Sequence, residues 1–477
     1  MITFVVCLVV LISAYFLYGR VLERVVGIDA SASVPSQTRY DGVDFIPLPR
    51  WRIFLIQLLN IAGTGPIFGA ILGACYGPVA FLWITIGGIF MGAMHDFMSG
   101  VISLRHDGES LPEIIGRYLG RGMHRFTLVV IPVLMILVGA VFIVTPSQIL
   151  ADKTDIPYLV WVGIVIVYYL VATVLPIDKI IGKIYPLFGA ALIFMAVALL
   201  VVLFVGDYTI PELVDVDNHH FNAEKLPIVP TLFISIACGA ISGFHATQSP
   251  LMARCMTNEK QAKPVLFGAM ISESIIALIW AAIAMAFFAG VEGLNTFMQE
   301  NGSNAGVAVS LICDTTLGRV GSILAILGVV IAPITSGDTA FRSARLIIAD
   351  MMKYDQKPIY KRMVVSLPLF AIGVFIAFID FDIIWRYFAW SNQALSVLTL
   401  WMITAWLVRR GSRATLLALV PAIIMTYICS SFIFVSNQFV GLGATTEAYI
   451  YGAALAAVIS GLLMLNIYKN GKQRAQI

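Results

Sequence analysis

The chain is 477 residues long, 60% hydrophobic and only 12% charged, with a formal net charge of +3. A soluble domain carries about 25% charged residues, so this composition excludes a soluble globular protein and reads as all-α and polytopic, embedded in a lipid bilayer. The small net charge says little by itself, because placement of charge matters more than its sum in a membrane protein, and no nucleic-acid partner is expected.

The first apolar run, residues 2–18, has neither a basic start nor a small-residue cleavage site, and reads as a retained helix rather than a secretory signal. Apolar stretches centred on 52–73, 78–103, 126–147, 157–175, 182–205, 228–250, 264–290, 318–341, 363–379, 384–407, 413–435 and 447–467 follow, giving about 13 transmembrane helices. The longest polar stretches, 20–50 and 207–227, read as loops. A short external helix over 305–317 is expected as a lid. The cysteines are dispersed, with no spacing that suggests zinc or redox chemistry. Alternate loops, beginning with 20–52, hold about 26 of the 30 Lys and Arg residues, and cytoplasmic loops are the ones enriched in them. The alternation predicts an outside N-terminus and a cytoplasmic C-terminus.

A weak internal repeat runs through the list. Ile61-Ala62-Gly63 parallels Ile241-Ser242-Gly243, Gly92-Ala93-Met94 parallels Gly268-Ala269-Met270, and Val144-Thr145 parallels Ile334-Thr335. An odd number of helices separates the partners, so the halves are expected to be inverted across the membrane. The expected divisions are 1–50, an N-terminal helix and cytoplasmic loop; 51–206, a first repeat of five helices; 207–227, an extracytoplasmic loop; 228–408, a second repeat of five; and 409–477, two further helices and a short tail.

Within the first repeat helix lies Asn60-Ile61-Ala62-Gly63-Thr64-Gly65-Pro66, poorly suited to a continuous helix interior. Non-helical backbone at membrane depth is tolerated only where it is buried in protein or lines a cavity. A half-helix starting near Pro66 would present the amides of Gly63, Thr64 and Gly65 to an anionic group such as a carboxylate, and carbonyls from Asn60 to Ala62 to a cation. The alternative is a glycine packing notch with a proline kink. The sixth repeat helix carries Gly243-Phe244-His245-Ala246-Thr247-Gln248, polar enough to require a cavity or a partner helix. A second break is expected there, with Gly243, Phe244, His245 and Thr247 lining a substrate site. Ser242, His245 and Gln248 share a face if the helix stays wound. Asp96 and Glu273, aligned by the repeat to within one residue, are candidate proton carriers or fixed ties between helices. Asp338 is placed either to pair with Arg342 or to take part in ion binding, and Lys183 either to substitute for a bound cation or to snorkel to the interface.

The segments Ile61-Ala62-Gly63-Thr64-Gly65-Pro66-Ile67-Phe68-Gly69, Gly92-Ala93-Met94-His95-Asp96-Phe97 and Arg105-His106-Asp107-Gly108-Glu109-Ser110-Leu111 resemble the carbon starvation protein A (CstA) family of bacterial inner-membrane transporters. The resemblance implies a LeuT-like fold of five-plus-five inverted repeats, with broken helices 1 and 6, and uptake of peptides or pyruvate. It further suggests that Thr335, Ser336 and Thr339 hold Na+ together with carbonyls of the first repeat helix. Gln57-Leu58-Leu59-Asn60 departs from the His-His pair many members carry.

The leading expectation is therefore a secondary active transporter importing pyruvate, a short peptide or an amino acid, coupled to H+ or Na+, with no covalently bound cofactor and no enzymatic activity. No Walker A sequence is present. An intramembrane serine protease built on Ser242 and a membrane histidine, and a passive channel, are the alternatives.

Overall fold

The computed structural model describes residues 1–174, 181–379 and 381–474. Among these residues every regular element is a helix, and helix occupies each apolar stretch read from the sequence. Nine helices among them are long and apolar enough to cross a membrane, and ten if the bent pair Arg50–Ile61 and Gly65–Ala74 counts as one span. The protein is a multi-pass membrane protein. Ala332–Met352 is absent from that set for a physical reason. It buries Thr335, Ser336, Asp338, Thr339, Arg342 and Arg345 among its neighbours, so its polar groups face protein rather than lipid.

Side-chain contacts sort the loops into two ends. At one end, Thr3 Oγ1 donates to Glu212 (2.7 Å), Asn295 Nδ2 donates to the carbonyls of Cys75 (3.0 Å) and His219 (2.8 Å), and Tyr449 Oη donates to Val229 O (2.8 Å). At the other, Arg105 pairs with Glu259 (2.6 Å), Lys263 with Glu23 (3.1 Å), and Arg409 donates to Arg117 O (2.9 Å). The grouping follows the odd and even loops of the basic-residue count.

Two helices are interrupted. Arg50–Ile61 stops at Ala62 (φ −83°, ψ 51°), and the chain resumes in a π-helical turn, Gly65–Gly69, running into Ala70–Ala74 at 56° to the first half. Pro66 sits in the first turn of the new half, where its missing N–H leaves no helical bond unmade. The second interruption begins at Ile236 (φ −94°, ψ 69°), after the short helix Phe233–Ser235. It ends at Ser242, extended at φ −143° and ψ 127°, before Gly243–Ala253. Ser242 thus lies outside the helix and does not share a face with His245 and Gln248.

The breaks cross each other in contact. A Cβ on Gly65 would fall onto Cβ and Sγ of Cys238, and one on Gly239 would lie 3.9 Å from Pro66 Cα. The second half-helix is pinned by Phe381–Arg409, whose backbone at Ser396 stands 2.5 Å from where a Gly243 Cβ would be. Wider π-helical turns also occur at Gly88–Ala93, just before His95 and Asp96, and at Lys263–Phe267, before Glu273. The helix Ala305–Ala325 bends at Gly318 (φ 57°, ψ −142°), so its first part is the separate segment expected before the next span. The side chain of Lys183 falls outside the described residues.

Candidate functional site

Beside the breaks lies a polar cluster drawn from three helices. Met94–Leu104 supplies His95 and Asp96, Gly243–Ala253 supplies His245, and Gly268–Phe287 supplies Glu273. All four side chains are fully buried. Asp96 Oδ1 lies 2.8 Å from His95 Nδ1, and Oδ2 lies 3.0 Å from His245 Nδ1. An ionised carboxylate only accepts, so both Nδ1 atoms carry hydrogen. His245 Nε2 then points at Glu273 Oε2, 3.5 Å away. Cys238 Sγ, His245 and Glu273 bring one polar atom each within 4.8 Å of one another. His245 Nε2 and both Glu273 oxygens make no hydrogen bond. Sequence alignment of the repeats put Asp96 and Glu273 at matching places, and the fold brings both to one imidazole.

Beside the first break, Asn60 and Gln57 are fully buried with no amide atom hydrogen-bonded, and Thr64 Oγ1 is likewise without a partner. Of the amides expected to be free there, that of Gly63 is engaged. Gly63 N–H donates to Ile61 O (3.0 Å), Ala62 N–H donates to Leu58 O (2.8 Å), and Thr64 O accepts from Phe68 N–H (2.7 Å). At the second break the Phe244 amide is capped by Asn392 Oδ1 (2.7 Å), and Asn392 Nδ2 donates to Ser242 Oγ (2.9 Å). Thr247 Oγ1 turns back to Phe244 O (2.7 Å). The amides of Gly63 and Phe244 and the hydroxyl of Thr247 are therefore engaged within the protein in this conformation. Asn392 is a site residue the sequence reading passed over; the signal was Asn392-Gln393 inside an otherwise apolar span.

Of the hydroxyls suggested for a cation, Ser336 reaches the first break, donating to Leu59 O (3.1 Å). Thr335 and Thr339 instead donate to their own helix, at Ala332 O (2.8 Å) and Ser336 O (2.9 Å). Helical hydroxyls bond back in this way wherever no better acceptor is in reach. Asp338 accepts from Tyr185 Oη (2.8 Å), whereas Arg342 pairs with Asp44 (3.2 Å). The expected Asp338–Arg342 pair gives way to a partner from the loop before the first broken helix.

A cavity of about 640 Å³ opens from the end of the molecule that holds the N-terminus and the 207–227 loop. It runs from His220, Asn222 and the start of Ala305–Ala325 down to Phe68 and Ser235, which flank the two breaks. Among the described residues its wall contains no aspartate or glutamate, and Arg386 lines it. Burial pushes the His220 imidazole down to about 4, so it is neutral at physiological pH. At the opposite end Asp44, buried in its loop, faces Arg342 at 3.2 Å and Arg345 at 3.6 Å. Burial alone would raise its carboxyl, but the two guanidinium groups outweigh it and hold Asp44 below the ordinary carboxylate range.

Set beside known proteins, the sequence matches the profile of the family described as carbon starvation protein CstA over residues 1–160 and 144–317. The chain belongs to the carbon starvation protein CstA family. An uncharacterized membrane protein of Haemophilus influenzae is 40% identical over 66% of this chain and 97% of its own length. The Campylobacter jejuni peptide transporter CstA is 26% identical over 86% of this chain and 76% of that protein. The Escherichia coli pyruvate/proton symporter BtsT is 25% identical, covering 63% of this chain and 52% of that protein. In structure, a manganese transporter from Eremococcus coleocola superposes over 90% of this chain and 97% of that one, with a TM-score of 0.53 at 12% identity. That likeness is one of fold.

Proposed function

We propose that this CstA family member is a secondary active transporter that imports a small carboxylate-bearing solute, pyruvate or a short peptide, by ion-coupled alternating access. The observation that carries the reading is the meeting of two broken helices beside a buried polar cluster, below a cavity whose described lining residues bear no carboxylate. Broken helices at membrane depth are where transporters bind solute and coupling ion, and an acid-free wall suits an anion. The names of the relatives, a peptide transporter and a pyruvate/proton symporter, support the same class.

The five-plus-five inverted repeat over 51–206 and 228–408, of LeuT-like type, fits the matched π-helical turns before Asp96 and Glu273. The protein resides in the bacterial inner membrane with its N-terminus outside. The cavity then faces outward, and the Asp44 pairs close the cytoplasmic side. Solute is held between the breaks by Gly63, Thr64, Gly65, Gly243, Phe244, His245 and Thr247, whose engaged groups are released as the helices part. Ion coupling falls to Asp96 and Glu273, or to Asn60, Ala62, Thr335, Ser336 and Thr339. The protease alternative finds no support, since Ser242 bonds to Asn392 and His245 to Asp96. Reconstituted protein should accumulate labelled pyruvate or a dipeptide above equilibrium under an imposed ion gradient. Saturable uptake that never exceeds equilibrium under H+ or Na+ gradients would instead leave a facilitator.

A further inference from the structure

We propose that the coupling ion is a proton, exchanged on Glu273 within a single unit formed by Asp96, His245 and Glu273; this rests on the transporter reading above. Three observations carry it. The three side chains are fully buried, come from three separate helices, and form a line in which one imidazole touches two carboxylates. Two ionised carboxylates and one imidazolium leave the fully buried unit with a net charge of minus one, and an isolated buried charge is costly. Protonation of one carboxylate removes that charge.

Which carboxylate changes follows from the hydrogen bonds. Asp96 accepts from two imidazoles, at 2.8 and 3.0 Å, and both its oxygens are satisfied as an anion. Neither oxygen of Glu273 accepts anything, so its charge is held only by His245 at 3.5 Å. The titratable groups that face Glu273 are His245 and, through it, Asp96 with His95, together with the Cys238 thiol at the crossing of the breaks. The exchangeable proton therefore sits on Glu273, and His245 holds the pair together rather than binding solute alone.

The cycle balances. Facing outward, once the breaks part, hydronium from the cavity breaks an O–H bond to hand its proton to a Glu273 oxygen. A new O–H bond forms there, water is left behind, and the unit goes from minus one to neutral. Facing inward, that O–H bond breaks, cytoplasmic water takes the proton, and Glu273 returns to carboxylate beside the imidazolium. A monocarboxylate approaching the crossing of the breaks is repelled by the charged unit and accepted by the neutral one. Proton and anion consequently bind together, each strengthening the other by the same factor. Import is then one proton per monocarboxylate and carries no net charge. Over the alkaline range the apparent KM for the anion should rise about tenfold per pH unit, as for any one-proton linkage.

The test uses the full chain in liposomes with EDTA, without Na+, and three readings: counterflow of labelled pyruvate, its accumulation under an inward proton gradient, and proton influx reported by trapped pyranine. Wild-type protein is expected to show all three, with about one proton per pyruvate. Glu273→Gln is expected to keep counterflow while accumulation falls to equilibrium and proton influx disappears. Asp96→Asn should behave the same way, since its single remaining carboxylate pairs permanently with the imidazolium. Accumulation by Glu273→Gln at the wild-type level overturns the proposal. So does pyruvate uptake by wild-type protein without proton influx, a reading that needs no variant to fold. Loss of counterflow in both variants, each purified as a monodisperse protein, also overturns it and assigns the cluster to solute binding. Wild-type protein lacking counterflow for pyruvate and for dipeptides defeats the transporter reading itself, which separates the two failures.

Discussion

Replacing Gly65 by alanine places one methyl group where the two breaks touch. The new Cβ would overlap both Cβ and Sγ of Cys238, well inside the 3.5–4.0 Å at which carbon atoms attract. Overpacking of this kind costs about 1–3 kcal/mol. The strain exists only while the breaks are in contact, so it shifts the balance between this conformation and one in which they separate, by about 5- to 150-fold. Transport by Gly65→Ala is expected to fall within that range, with the protein still purified in folded form. Cys238 allows a graded reversal. Cys238→Ala removes Sγ but leaves Cβ, and should restore part of the loss in the double variant; Cys238→Gly removes both and should restore most of it. Initial uptake rates of the single and double variants form a mutant cycle. Wild-type rates for Gly65→Ala, or additive losses in the Gly65→Ala/Cys238→Gly pair, would refute contact between the breaks as the cause.

Asn392→Ala should lower the thermal stability of purified protein by about 1–3 kcal/mol, because the Phe244 amide and Ser242 hydroxyl lose their shared partner in a buried place; an unchanged melting curve would speak against the cap. Asp44→Asn leaves Arg342 and Arg345 buried beside a neutral side chain, at a cost of about 3–5 kcal/mol. Protease cleavage of the loops at that end should accelerate, and wild-type cleavage rates would sink the idea of a closed gate. The Asp44 carboxyl is lowered in the folded chain, so its contribution is complete above the unfolded value of about 3.9 and is lost as pH falls through the folded value; the gap in stability between wild type and Asp44→Asn should narrow in acid. Ser336→Ala breaks the link to Leu59 O and should cost about 1 kcal/mol, whereas Thr335→Val gives up only a bond within its own helix and should leave uptake within about twofold. Equal effects in the two variants would show that the link does not matter.

Membrane class, the helix positions and the sorting of loops to two ends were legible along the chain, because a bilayer imposes a length and an apolarity that any spanning segment must meet alone. The first break was also readable, since Gly63, Gly65 and Pro66 oppose a helix locally whatever surrounds them. Asp96 and Glu273 could be marked as costly in a membrane, and the repeat aligned them. That both converge on His245 could not be read, because hydrogen-bond partners here stand about 150 residues apart and depend on how helices cross. The same limit explains Asn392, whose partners are Ser242 and Phe244, and the choice of Asp44 over Asp338 by Arg342. It also explains why Thr335 and Thr339 bond to their own helix while Ser336 reaches across. Local composition determines which segments enter the membrane and where they must break, because each segment meets the same solvent. Only the packing of the breaks against each other decides which buried polar groups are hydrogen-bonded and which, like the Glu273 oxygens, are not.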